Sequence, residues 1–93
     1  MSSKKESKAL AEFTIMPLGV EGTSIGKYVA EAIAAINKID GLICEVTAMG
    51  TILEAESFEI ILSAVRVAHE ALRDRGGQLV ESTLRIDDRR EKS

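Results

Sequence analysis

Ninety-three residues make a single domain, and a chain this short buries only about 60–65% of its unfolded surface, which excludes a multidomain enzyme with a deep cleft of its own. An apolar content of 45% is too high for a disordered chain, and the 29% of charged residues are interspersed, so no run reaches the ~20 apolar residues of a membrane helix. The net charge of -3 argues against a nucleic-acid binder that works by neutralising phosphates, and with only 3% aromatic residues the core must be aliphatic.

The single cysteine, Cys44, excludes an internal disulfide framework and any CxxC motif, and the single histidine, His69, excludes a zinc site of His and Cys within one subunit. No metal site is expected. The polar start MSSKKESK precedes an apolar run that Glu12 and Thr14 interrupt, unlike the unbroken core of a signal peptide, so a cytoplasmic protein is expected.

In chain order, residues 9–16 (ALAEFTIM) read as a strand that Pro17 ends. A loop follows, with Thr23 or Ser24 as an N-cap hydroxyl. Ile25, Tyr28, Val29, Ala32, Ile33 and Ile36 then recur at helical spacing and paint one apolar stripe, and Asp40-Gly41 closes that helix. Residues 42–47 and 49–54 are two short β-branched strands joined around Ala48. Ser57 caps a second helix with the stripe Phe58, Ile61, Leu62, Val65, Ala68 and Leu72, which Gly76-Gly77 stops. Residues 78–86 form the last strand and 87–93 a charged tail. As domains, 1–8 is expected to be a flexible N-terminal extension, 9–89 the folded unit and 90–93 a charged end. The order βαββαβ with right-handed crossovers is the ferredoxin-like α+β sandwich: a four-stranded antiparallel sheet with both helices on one face.

Strand alternation sorts the side chains onto two faces. Ala11, Phe13, Ile15, Leu42, Cys44, Val46, Ile52, Val80, Leu84 and Ile86 are expected to face the helices. Leu10, Glu12, Thr14, Met16, Ile43, Glu45, Thr47, Met49, Thr51, Leu53, Leu79, Glu81, Thr83 and Arg85 are expected on the open face. That second set mixes large aliphatics with threonines and carboxylates, a composition that favours a partner surface over a bare solvent face. Its charges would then need partners, because an unpaired buried charge is costly.

Residue types narrow the chemistry further. The glycine-containing stretch 19–26 runs into a helix N-terminus, where an anion could sit, but it lacks the Gly-Lys-Ser/Thr of a Walker loop, and an ordinary capped loop explains it. His69 reads as a packed, hydrogen-bonded helix residue, and Cys44 as a small hydrophobe beneath the helices. Glu12 and Glu81, on the first and last strands, suit a cation or general acid–base work, and equally suit plain exposed strand positions. Threonine hydroxyls on the same face suit a hydrogen-bonding heterocycle, although β-propensity alone accounts for them. RNA binding on this fold needs aromatics on the open sheet, and none is expected there.

Five short motifs stand in order along the chain: AEFTIMP at 11–17, SIGKYV at 24–29, TAMGT at 47–51, AHEA at 68–71 and IDDR at 86–89. Together they resemble the thiamine-binding protein family from residue 9 to residue 89. The resemblance implies a ferredoxin-like subunit that assembles by sheet packing into dimers and tetramers. It also implies binding of thiamine or its hydroxymethylpyrimidine part as ligand, without catalysis and without a cofactor. On the expected sheet geometry, Glu12 and secondarily Glu81 would supply acceptors and negative charge to the aminopyrimidine and thiazolium. Thr14, Thr47 and Thr51 would hydrogen-bond, Met16 and Met49 would pack on ring faces, and Gly22 and Ser24 would close one end of the site. The expected partners are a second copy of the chain, as a homodimer or a dimer of dimers, and the small molecule, with no nucleic acid or membrane. A purely structural or regulatory oligomer, and an enzyme acting on a thiamine precursor, stand as alternatives.

Overall fold

The computed structural model describes residues 7–19, 22–76 and 79–90. Its elements run β1 (Ser7–Leu18), α1 (Gly22–Ile36), β2 (Leu42–Thr47), β3 (Gly50–Ala55), α2 (Phe58–Asp74) and β4 (Leu79–Arg90). The strands form one antiparallel sheet in the order β2-β3-β1-β4. This is the βαββαβ ferredoxin-like architecture that the alternation of patterns predicts.

The helices cover one face. Ala9, Ala11, Phe13 and Ile15 of β1, Leu53 and Ala55 of β3, Ala32 and Ile36 of α1, and Ile61, Ala64, Ala68 and Leu72 of α2 make the buried core. The many alanines let both helices lie close to the sheet, and Phe13 is the one aromatic in the buried set. In α2 the stripe turns slightly from its expected phase: Ala64 is buried, whereas Phe58 and Leu62 are more than a third exposed. Ser57 caps α2 as expected, its Oγ accepting a hydrogen bond from the Ile60 N–H at 3.2 Å. α1 ends at Ile36, four residues before the expected Asp40-Gly41 closure, and Gly41 takes its φ of +84° in the turn that leads into β2. Arg75, at the end of α2, ties the helices together by an ion pair to Glu31 at 3.1 Å and by lying 5.9 Å over the Tyr28 ring.

Four other boundaries differ from the expectation. Pro17 does not end β1. It is buried and paired in register with Val80, and β1 continues to Leu18. β3 is paired with β1 only as far as Phe13, so beyond that residue β1 has an open edge, where a strand tolerates proline. Residues 87–90 are not a tail but extend β4 against residues 7–10; an edge strand with one wet face accommodates such charged residues. Strand pairing thus reaches into the expected extension at Ser7 and ends at Arg90, while 1–6 and 91–93 lie outside the described residues. Finally, α1 begins at Gly22, so Thr23 and Ser24 fall inside its first turn rather than at the cap.

The largest correction concerns β3. The turn between β2 and β3 has two residues, Ala48 and Met49, and Thr47 faces Gly50 across it. Thr51 therefore points the same way as its register partners Phe13 and Val46, towards the helices, and is 6% exposed. Leu53 follows it inward and is fully buried, while Ile52 points outward. Reading Met49 as the first strand residue shifts the strand by one, and one residue exchanges every side chain between faces.

Candidate functional site

The registers lay out the open face in rows. Lowest is Ile43–Glu54–Leu10–Asp87, then Glu45–Ile52–Glu12–Arg85, then Thr47–Gly50 on the hairpin level with Thr14–Thr83 on the ribbon. Above the hairpin only β1 and β4 continue, with Met16 opposite Glu81 and Leu18 opposite Leu79. Large apolar side chains stand exposed on this face: Leu10, Met16, Ile43 and Leu79 are 43%, 44%, 63% and 59% accessible. They border the polar middle as the alternation predicts.

Two shallow depressions follow the β1–β4 ladder. One, of about 290 Å³, is lined by Leu10, Glu12, Ile52, Arg85 and Asp87. The other, of about 190 Å³, is lined by Thr14, Met16, Glu81 and Thr83. Larger hollows of about 510 Å³ each lie elsewhere, one beside Ile43, Glu54, Glu56 and Ile60 at the start of α2, the other between the outer flanks of the helices at Ala34, Lys38 and Ala71. Both are open grooves. Size alone does not favour them, because the convergence of a carboxylate, a guanidinium, hydroxyls and apolar walls is a property of the open face.

Of the expected site residues, Glu12, Thr14, Met16 and Glu81 stand together along this ladder. Glu12 is half-buried; the other three are exposed. Glu81 is opposite Met16, four positions from Glu12 along β1 and one strand across, so the backbone positions of the two carboxylates are ~14 Å apart at about 3.3 Å per residue and 4.8 Å per strand. That spacing suits contacts to the two ends of one small molecule better than joint acid–base work on one atom. Thr47 is on the face, but its hydroxyl serves the turn: Oγ1 donates to the Gly50 carbonyl at 2.8 Å and accepts from the Met49 N–H at 3.1 Å. Met49 stands at the turn tip, 78% exposed, rather than on the strand. Thr51 is removed from the site by its burial beneath the helices. Gly22 and Ser24 belong to α1, a helix of the layer on the other side of the sheet from Glu12.

Sequence reasoning missed Ile52 and Glu54, which the shifted register brings onto the open face beside Glu12 and Leu10. It also missed Gly50, whose bare backbone lies against β1: a Cβ there would meet Thr14 Cγ2 at 2.9 Å. A two-residue turn between Thr47 and Gly50 was the signal that fixes both. On the helix side, His69 Nε2 lies 2.7 Å from Ser82 Oγ and ties α2 to β4, the structural role expected of it. Burial pushes the Cys44 thiol above its ordinary pKa, away from the reactive thiolate. Among the described residues no three His, Cys, Asp or Glu side chains converge as metal ligands, and no helix is long and apolar enough to cross a membrane.

The profile of a family described as thiamine-binding protein matches residues 11–93. The chain belongs to the thiamine-binding protein family. Within it, the chain is 46% identical over 81 residues to a UPF0045 protein of Methanothermobacter thermautotrophicus, covering 87% of this chain and 81% of that protein. A crystal structure of a Methanocaldococcus jannaschii protein superposes with a TM-score of 0.79 at 42% identity, over 92% of this chain and 84% of that one. A structure from Thermotoga maritima, assigned provisionally to thiamine biosynthesis or salvage, gives 0.74 at 25% identity, over 86% and 82% of the two chains. The match to the thiamine-binding family includes β2, β3, β4 and β1 from Ala11 onward, and so Glu12, Thr14, Met16 and Glu81 but not Leu10.

Proposed function

We propose that this protein binds thiamine, or a thiamine-related pyrimidine, on the open face of its sheet, at an interface between copies of itself and without chemical turnover. The observation that carries the reading is the half-buried Glu12 carboxylate, set between Leu10, Ile52 and Arg85 in a member of the thiamine-binding family. A carboxylate in partly apolar surroundings accepts the N–H groups of an aminopyrimidine and favours a neighbouring cationic ring. Thr14 and Thr83 offer hydroxyls next to it, Met16 a polarizable thioether for a ring face, and Glu81 a second negative charge further along the ladder. Nothing in this constellation pairs a nucleophile with a base, which supports binding over catalysis.

Calorimetric titration of the full chain with thiamine, hydroxymethylpyrimidine and thiamine phosphate tests the reading. Saturable heat with at least one of them is expected, and Glu12→Gln is expected to weaken it by roughly ten- to hundredfold, the loss of one charge-assisted contact. No heat at millimolar ligand overturns the proposal. Conversion of the ligand on incubation would replace it with the enzymatic alternative.

A further inference from the structure

The two edges of the sheet differ. β2, at one edge, has six residues and runs into a tight turn, whereas β4, at the other, has twelve and pairs with β1 without a break from Leu79 to Arg90. β4 contains no proline and no lysine, its pairing contains no bulge, and among the described residues no strand lies on its outer side. On the helix side it presents Val80, Ser82, Leu84 and Ile86 before its first charge on that side, Asp88. Sheet edges are usually closed to further strands by short length, bulges, proline or lysine, and a long regular edge without them is a template for strand pairing.

α2 leans over this edge without covering it. The helix-side residues of β1 and β3 are buried, whereas Val80, Ser82, Leu84 and Ile86 are only half-buried. His69 Nε2, 2.7 Å from Ser82 Oγ, marks the flank of α2 that lies above β4. At about 100° per residue, Leu62, Arg66 and Arg73 fall within ~60° of His69 on that flank, while Glu59 and Glu70 stand ~80–100° away. Leu62 is exposed, and so are both arginines, neither of which has an ion-pair partner among the described residues. Asp88 is six residues below Ser82 on the strand, ~20 Å from the level of His69.

We propose that the outer edge of β4 is a docking site for an extended acidic segment of another protein, which adds as a fifth strand and turns its carboxylates towards Arg66 and Arg73. Charge selects this occupant. The chain as a whole carries -3, yet the flank that an added strand meets bears two guanidiniums and no carboxylate. Along α2, Arg66 is ~6 Å and Arg73 ~16 Å from Leu62, and the helix-side positions of a strand recur every ~6.7 Å. An apolar residue beside Leu62 therefore brings carboxylates two and four residues further on within reach of the two long arginine side chains. On the open face β4 shows both signs, with Glu81, Arg85 and Asp87, and uncharged side chains suit that side of the added strand. A second copy of β4 suits the edge less, because a two-fold axis there brings a second α2 alongside and sets arginines against arginines. This edge is separate from the Glu12 shelf, and the inference does not rest on the proposed ligand.

The probe is an acetylated, amidated peptide, Thr-Val-Thr-Glu-Thr-Glu-Thr, titrated into the full isotope-labelled chain and followed by amide NMR. Saturable shifts are expected in β4 and on the α2 flank but not in β2, with slower amide exchange on β4. Arg66→Glu and Arg73→Glu are each expected to weaken binding at least about threefold, and the two together about tenfold or more. A peptide with lysine in place of both glutamates is expected not to bind. Strand addition has a signature that charge alone does not: only alternate residues of the peptide direct their N–H groups at β4. N-methylation of alternate residues is therefore expected to abolish binding in one frame and to change it less than about threefold in the other. Both arginines are exposed, and circular dichroism checks that the variants fold. No saturable shift at millimolar peptide, arginine reversals without effect, equal binding of the lysine peptide, or tolerance of N-methylation in both frames would each overturn the proposal. So would β4 amides whose exchange on the outer edge is already slow in the peptide-free chain and slows further with protein concentration, since a second copy then holds the edge.

Discussion

At the scale of single residues, Gly50 controls how closely the β2–β3 hairpin lies on β1. Its φ is +147°, a conformation that side-chain-bearing residues rarely adopt, and a Cβ would come within 2.9 Å of Thr14 Cγ2 and 3.3 Å of the Phe13 carbonyl oxygen. The methyl of Thr14 can turn away from such an intruder, but the backbone carbonyl cannot. Gly50→Ala is therefore expected to destabilise the fold by about 1–3 kcal/mol, combining backbone strain with displacement of Thr14. Adding Thr14→Ser, which removes the methyl and keeps the hydroxyl, should return only the part owed to that clash. Urea unfolding of the two variants measures both parts, and a neutral Gly50→Ala would show that the hairpin stands off from β1. Cys44 and His69, by contrast, were legible from the chain as structural residues, because a lone thiol on an inward strand position and a histidine flanking an apolar helix stripe have few other uses in a small fold. The structure places them accordingly, Cys44 partly shielded on the helix side and His69 hydrogen-bonded to Ser82.

At the scale of elements, legibility depended on how each element ends. α2 announces both of its ends, with a serine before the stripe and a glycine after it, and the structure keeps them: Ser57 Oγ accepts from the Ile60 N–H and the helix closes at Asp74. Replacing Ser57 by Ala should leave one N–H of the first turn without its partner and cost about 1 kcal/mol, read as a lower urea midpoint at unchanged slope. A Ser57→Asp variant should retain most of that stability, because Asp caps as well as Ser does. β3 announces nothing of its phase. Met49, Thr51 and Leu53 are as plausible facing solvent as facing the core, and only the length of the turn decides. With two turn residues, Thr47 and Gly50 face each other and Ile52 and Glu54 come to the open face. Thr51 was thereby misassigned to the open face, whereas Glu12, Thr14 and Met16 do lie on that face, because Phe13 and Ile15 pin β1 with two buried side chains on the other. Pro17 misled for a different reason: that β1 has an open edge beyond Phe13 is a tertiary fact, which a local rule about proline does not contain.

At the scale of the whole molecule, the fold spends its apolar residues unevenly. The helix side of the sheet is closed by Phe13, Leu53, Ile61 and Leu72, while Leu10, Met16, Ile43 and Leu79 stand in water on the other. A chain of this size has a small core, so stability gained on the open face is a large fraction of the total. If copies mate there, unfolding releases them, and the midpoint temperature rises with protein concentration. A ligand held only by the folded, mated form adds to this: at a hundredfold excess over its dissociation constant it contributes about 2.7 kcal/mol, and at roughly 4–8 °C per kcal/mol for a domain of this size the midpoint should climb by ~10–20 °C. Ile52→Lys places a charge in the middle of the face while leaving the helix side intact, and is expected to abolish both the concentration dependence and the shift on adding thiamine. Leu62→Lys, on the outer flank of α2, where Leu62 is 44% exposed, is expected to preserve both. Differential scanning calorimetry between about 1 and 100 μM chain separates the cases: a midpoint independent of concentration in the unaltered protein, or an Ile52→Lys variant that behaves like Leu62→Lys, would mean that the open face stays open and that its aliphatic residues belong to a solvated sheet.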